Sequence, residues 1–210
     1  MKKLVLSLFL LFPFNGCTSC GLSNPSKDVK PYYDIQRFKA QPWQVTRLGN
    51  ESYGTVVSVK QVPEAQPIIA DSLVIALMGE VTYYGQNEQL RGGGGWAAYA
   101  CDPMPSGFKG TTEEVQEITV RCDQDFDAAH PAGSSLNVYF DYFAGSPYSN
   151  LRTGNLNEFS KQLPVQAARE FMLKLMKAPD QKTGTYTFTV EYALTNGEVL
   201  TARTRNITFK

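Results

Sequence analysis

The sequence predicts an all-β protein: an immunoglobulin-like β-sandwich with long loops and one or two short helices. The clearest observation is the alternation of apolar and polar residues from Thr185 to Leu194. Asn196-Gly197 follows, a dipeptide typical of tight hairpins because both residues tolerate positive φ. Short β-rich runs bounded by Gly, Pro and Asn recur along the chain, and few segments have a helical period. This pattern is typical of a sandwich.

Residues 1–16 have the features of an export signal. Lys2 and Lys3 precede an apolar run, Leu4 to Phe14, that is too short to cross a bilayer as a helix. Phe14-Asn15-Gly16-Cys17 resembles a relaxed lipobox, which predicts cleavage before Cys17 and diacylation of its thiol. One alternative is an ordinary cleaved signal with Cys17 as a bystander. Cys20 is a rival acceptor, but the residues before it match a lipobox less well.

Residues 17–31 are predicted to form a lipidated flexible tether, since they are rich in Ser, Asn, Pro and Lys and have no apolar period. Residues 32–210 are then expected to form a single β-sandwich domain. Removal of the signal leaves eighteen basic against twenty acidic residues, a net charge of −2. Nucleic acid is therefore not an expected partner.

Several further elements are predicted in chain order. Strands are expected at Thr55 to Val62, Ser72 to Tyr84, Val115 to Cys122, Glu170 to Lys177, and in a C-terminal hairpin of Thr185 to Leu194 and Val199 to Phe209. Leu73 to Met78 is apolar on both faces, which predicts a central strand. Val165 to Lys177 also fits a helix, but the short turn after it favours a strand. Short helical pieces are expected within Leu136 to Phe143 and Asn155 to Leu163.

Two cysteines remain in the body of the chain. In an exported protein, Cys101 and Cys122 are most simply read as a disulfide, which would contribute roughly 3 kcal/mol in the chain-entropy model. The alternative is two buried free thiols. The alternation of Val115 to Cys122 predicts that Cys122 points inward.

No residue pattern specifies a reaction, and no cofactor is expected. The single histidine, His130, precedes Pro131 and reads as a loop residue, with no nucleophile elbow in the chain and too few ligands for zinc. Asp123, Asp125 and Asp127 alternate and could begin a calcium cage, although the spacing is not that of an EF-hand. A solvated acidic loop is the alternative.

One aromatic feature suggests a ligand. Trp96 follows four glycines and, with Tyr83, Tyr84, Tyr99 and Phe108, could form a platform for sugar rings. The alternative places most of these aromatic side chains in the core.

Several short motifs occur along the chain in a particular order. They are Pro31 to Gln36 after the tether, Ala98-Tyr99-Ala100-Cys101 before a Pro/Gly loop, Ile118-Thr119-Val120, Pro131 to Asn137, and Leu173 to Pro179 before the terminal hairpin. The set resembles a family of uncharacterised Bacteroidetes-type lipoproteins defined as a domain of unknown function. The resemblance implies location and fold type and no activity. It also implies a small hydroxyl residue at position 122, so a disulfide there would be particular to this chain.

The expectation from the sequence is a non-enzymatic lipoprotein of the bacterial outer membrane, facing the periplasm or the cell surface. It would serve structure or protein–protein contact, with the membrane and envelope proteins or glycans as partners. The alternative is a glycan-binding accessory lipoprotein that uses Trp96.

Overall fold

The structure is a computed structural model that describes residues 29–51, 54–64, 66–85, 105–144, 152–181 and 183–210. Within these residues it has twelve strands and one four-residue α-helix. The strands are β1 (Tyr32–Glu51), β2 (Gly54–Gln61), β3 (Leu73–Tyr84), β4 (Glu114–Cys122), β5 (Phe140–Ala144), β6 (Arg152–Asn155), β7 (Val165–Gln166), β8 (Glu170–Leu175), β9 (Thr185–Tyr186), β10 (Phe188–Leu194), β11 (Val199–Arg203) and β12 (Ile207–Thr208), and the helix is α1 (Leu156–Phe159).

The strands form antiparallel sheets, so the predicted all-β class is confirmed. One sheet has the order β2-β1-β3-β8-β5-β6, a second has β11-β10-β4-β7, and β12 pairs with β9. The chain passes from the first sheet to the second between β3 and β4 and returns between β4 and β5. The layers are therefore interleaved in sequence. Among the described residues, no helix is long and apolar enough to cross a membrane.

The core lies between the two sheets and is rich in aromatic side chains. One cluster of buried residues includes Leu77 and Leu173 of the first sheet and Val120 and Val190 of the second. Phe140 and Phe188 meet across the layers with ring centroids 5.9 Å apart. Burial of this apolar surface, at about 25 cal/mol per Å², is the main force that holds the sheets together.

The longest strand, β1, was not predicted from the sequence. It pairs first with β3 and then with β2, and register shifts interrupt it between Ile35 and Arg37 and between Val45 and Arg47. Each extra residue at a bulge reverses which positions face the core. Ile35 and Phe38, three residues apart, are both buried for this reason, and the alternation that identifies a strand is lost.

Most of the other predicted elements are confirmed. Strand β8 buries Phe171, Leu173 and Leu175 on one face, as the strand interpretation requires. The C-terminal hairpin turns at Gly197, whose φ is +88°. Its two arms are each interrupted, which leaves β9 and β12 as a separate short pair.

The two predicted helical pieces differ in extent. Residues 156–162 form α1 followed by a 3-10 turn, as expected. In the other piece only residues 137–139 are helical, in a single 3-10 turn, and the rest is strand β5. A short helical piece therefore lies within Leu136 to Phe143, as expected, and pairing with β8 decides the strand conformation of the residues after it.

The described chain has two opposite ends that matter for function. We call residues 29–33, 83–85 and 105–112 the N-terminal pole, because the described chain begins there. Residues 123–139 and 176–181 form the distal pole. Strand β4 runs from one to the other, and its nine residues correspond to a separation of about 30 Å.

Candidate functional site

Three of the predicted site residues lie outside the described residues. They are the lipidation site Cys17, the disulfide partner Cys101 and the ligand candidate Trp96. Their roles remain predictions.

Cys122 points into the core, as its place in the β4 alternation predicts. The residue is 4% exposed, and its thiol donates a hydrogen bond to the Gln124 carbonyl at 2.8 Å. It is a free cysteine in the structure. The disulfide with Cys101 is thus not supported by the state of Cys122, and burial raises the pKa of the thiol.

The three aspartates of the predicted calcium site each serve a different contact. Asp123 Oδ1 accepts from the Thr187 amide at 2.8 Å, and Asp125 Oδ1 accepts from the Ala132 amide at 2.8 Å. Asp127 turns to another set of donors. Within the described residues no group of three or more His, Cys, Asp or Glu side chains is placed to hold a metal ion. In the described structure the three carboxylates therefore face separate donors and are not grouped as the predicted cage requires.

Asp127 is the centre of a polar cluster that the sequence did not reveal. Its Oδ1 accepts from the amides of Ala129 and His130, at 3.0 and 2.9 Å, and so closes the turn that it begins. The same oxygen lies 2.7 Å from His130 Nδ1. Its Oδ2 accepts from Tyr139 Oη at 2.7 Å and from Lys177 Nζ at 2.6 Å. We call these four side chains, Asp127, His130, Tyr139 and Lys177, the distal cluster.

Neighbouring elements fix each member of the distal cluster. Tyr139 ends the 3-10 turn before β5, and its ring stacks on the buried Phe126 with centroids 5.4 Å apart. Lys177 follows β8, and its Nζ lies 4.6 Å from the centre of the Tyr139 ring. The side chain of Asp127 is only 7% exposed, whereas that of Lys177 is 45% exposed. The cluster thus joins the loop after β4 to the ends of β5 and β8.

Asp127 and Lys177 stabilise each other's charged form. The hydrogen bond from Lys177, followed by those from Tyr139 and His130, holds the pKa of Asp127 well below its usual range. In return, the Asp127 carboxylate raises the pKa of Lys177. Because an ionised carboxylate only accepts hydrogen bonds, this contact requires a proton on His130 Nδ1.

An Asp–His pair also orients the base in nucleophilic catalysis, which requires a hydroxyl or thiol at the other ring nitrogen. In the part of the chain that the structure describes, no serine, threonine or cysteine bonds to His130. The nearby Ser134 hydroxyl instead donates to the Pro131 carbonyl at 2.7 Å. Within the described residues the arrangement ties the loop after β4 to the ends of β5 and β8.

Four tyrosines mark the N-terminal pole. Tyr32 pairs with Tyr84 and Tyr33 with Tyr83 across β1 and β3. The sugar-binding hypothesis placed Tyr83 and Tyr84 on one aromatic platform. Neighbouring residues of a strand face opposite sides of the sheet, so these two rings do not share one face. Of the platform's other members, Phe108 lies in a described turn before β4, whereas Tyr99 and Trp96 lie outside the described residues.

Two depressions open to solvent on the described surface. One, of about 430 Å³, contains Arg205, whose guanidinium donates to the carbonyls of Val62 and Pro63. The other, of about 510 Å³, has an entirely polar lining beside β4: Gln116, Glu117, Thr119, Arg121, Ser135, Asn137, Asn157 and Ser160. Neither contains an aromatic side chain on which a sugar ring could stack.

Comparisons with models of known protein families, with curated proteins and with solved structures find no match for this chain.

Proposed function

We propose that the protein is a non-enzymatic lipoprotein of the bacterial cell envelope, anchored in the outer membrane through Cys17. In this proposal its β-sandwich is a module for structural or protein–protein contact. The resemblance of its motifs to the uncharacterised Bacteroidetes-type lipoproteins supports the location.

The observation that carries the proposal is the placement of the two poles. The chain that follows the tether enters at the N-terminal pole, where the amide of Gly107 donates to the Lys30 carbonyl at 2.7 Å. The distal cluster lies at the other end of β4. A module attached at one end presents the opposite end to its surroundings.

The distal pole and its rim have the composition of a contact surface. Ile69, just before the turn that leads into β3, and Val138 and Met176 of the distal pole are three of the four large hydrophobic residues exposed in the described chain, at 48–50%. They precede β3, precede β5 and follow β8, three strands that are neighbours in one sheet. Exposed apolar residues beside charged ones are typical of protein interfaces.

We further propose that the fold is an elaborated immunoglobulin-like sandwich. Two facing antiparallel sheets with one shared core, and connections that cross between them, support this assignment. Strand pairings measured by NMR that depart from a Greek key would refute it.

The anchor is tested first. Expressed in a Gram-negative host, the protein is expected in the membrane fraction with an acylated N-terminal peptide by mass spectrometry. Cys17→Ser should move it to the soluble periplasmic fraction. Cys20→Ser is the matched control and should stay in the membrane. A reversed result assigns the anchor to Cys20, and no acyl mass on either variant or the parent contradicts the proposal.

The contact function is tested by photo-crosslinking in cells. A photoreactive amino acid is placed at Met176 or Val138 and, as a control, at Thr201, which is exposed on the face of the second sheet. Discrete adducts with an envelope protein are expected from the two distal positions only. Equal patterns from all three positions, or no adduct from any, would contradict a distal contact surface.

A further inference from the structure

One corner of the N-terminal pole combines aromatic and basic side chains. Tyr32 and Tyr84 stack with ring centroids 5.7 Å apart, and Lys109 Nζ lies 5.3 Å from the centre of the Tyr32 ring. Lys30 and Lys109 are exposed, and the two tyrosines are half-buried. We call Lys30, Tyr32, Tyr84 and Lys109 the N-terminal corner.

The backbone at this corner is held in place. Pro31 is buried, and its carbonyl accepts from the Lys109 amide at 2.9 Å, while the Tyr33 amide donates to the Gly110 carbonyl at 3.0 Å. The turn that carries Lys109 is therefore bound to the residues that follow the tether. Any force on the tether is transmitted directly to this corner.

The length of chain before the corner limits its distance from an anchor at Cys17. Position 29 is twelve residues after position 17, a length of chain that reaches about 40 Å when fully extended. A flexible chain of that length has a root-mean-square span of about 20 Å. The described chain thus begins, at this corner, within about 40 Å of the lipid.

The charges around the corner are unevenly distributed. Lys109 lies over the Tyr32 ring, Lys30 is two positions before Tyr32, and Asp34 is two positions after it on β1. The carboxylate of Glu113 turns inward, where it accepts from the Ile35 amide at 3.2 Å. Among the described residues, two exposed acids of this end lie elsewhere, Glu114 in β4 and Glu198 in the turn before β11. The two described lysines of the pole therefore belong to the side at which the described chain begins.

We infer that the N-terminal corner docks on the phospholipid headgroups of the membrane that holds the anchor. Tyrosine is enriched at the headgroup level because its ring is apolar and its hydroxyl is polar. Lysine is attracted to anionic lipid phosphates. This inference rests on the proposed lipid anchor, and it adds an orientation: the corner faces the bilayer and the distal pole points away from it.

The test uses lysine footprinting of the acylated mature protein in vesicles of phosphatidylethanolamine and phosphatidylglycerol. The unacylated Cys17→Ser protein in solution is the reference. Acetylation of Lys109 is expected to slow by about fivefold or more in vesicles, the change that one lysine near an anionic surface should produce. The exposed Lys161 and Lys210 serve as internal controls and should keep their rates.

Two variants separate docking from mere proximity to the vesicle. In Tyr32→Ser/Tyr84→Ser the protection of Lys109 should disappear, while in the control Val199→Ser, an exposed residue of the second sheet, it should persist. Protection that survives the loss of both tyrosines would overturn the inference. So would an acylated protein whose Lys109 reacts as fast as in solution, a result that leaves the anchor intact. An unacylated Cys17 would remove the proposed anchor and the docking with it.

Discussion

Asn137 completes the edge of β4, and its removal should destabilise the protein measurably. Its side-chain oxygen accepts from the Val120 amide at 2.9 Å, and its side-chain nitrogen donates to the Ile118 carbonyl at 2.7 Å. Ile118 and Val120 have no exposed surface. Asn137→Ala leaves two buried backbone groups without a partner, and each costs about 1–2 kcal/mol. The expected loss is therefore about 2–4 kcal/mol.

The measurement is urea unfolding followed by circular dichroism, with the stability taken by linear extrapolation. For a body of this size the same loss lowers Tm by roughly 5–15 °C. Asn157→Ala is the matched control, because Asn157 is exposed at the start of α1. A loss at Asn137 below about 1 kcal/mol, or equal to that of the control, would show that water replaces both hydrogen bonds and would refute the reasoning.

Asn137→Asp gives a second, pH-dependent measure of the same contact. A carboxylate can still accept from Val120 but repels the Ile118 carbonyl, whereas the protonated acid can donate to it. The folded state should therefore raise the pKa of this aspartate above its unfolded value of about 3.9. Relative to the natural protein, the variant should be least impaired below that pH and lose stability as the pH rises.

Three further predictions concern glycine, aspartate and cysteine residues. Gly107→Ala places a Cβ 2.7 Å from a tyrosine ring at φ +81°, so it should cost clearly more than the roughly 1–2 kcal/mol expected for positive φ alone at Gly133, where φ is +79° and nothing lies within 4 Å. The pKa of Asp127 is lowered in the folded state, so the contribution of its carboxylate to folding stability is complete above about pH 4 and is lost as the pH falls. The Tm values of Asp127→Asn and the natural protein should therefore converge in acid. Cys122, buried and free, should react with iodoacetamide only after unfolding in urea without reductant.

Each of these has a clear contrary result. Equal losses at the two glycines would show that the ring moves aside at no cost. A constant stability difference between Asp127→Asn and the natural protein down to pH 2.5 would mean that the stabilisation contributed by residue 127 does not depend on its charge. A Cys122 that alkylates only after reduction would establish a disulfide instead of the free thiol.

The sequence predicted elements well wherever one alternation ran unbroken. Strand β8 kept one parity throughout and β4 kept it from Ile118 to Cys122, so Val120 and Leu173 could be assigned inward before the structure was known. Strand β1 was not predicted, because each of its two bulges reverses which alternate residues face the core. The distal cluster was not predicted for a different reason: Lys177 is fifty positions from Asp127, and no local pattern links them. The spacing of Asp127 and His130, three residues apart before a proline, was the one local sign of it.

By itself, the sequence determined the all-β class, the places of most strands and the inward direction of Cys122, because side-chain alternation and turn residues act over a few positions. Only the tertiary structure decided which carboxylates meet which donors. In that structure Asp123, Asp125 and Asp127 make three separate contacts. The tyrosine pair lies at the N-terminal pole and the distal cluster at the distal pole. The physical reason is that these contacts depend on how the sheets pack, which joins residues distant in the chain and is not encoded in any short window.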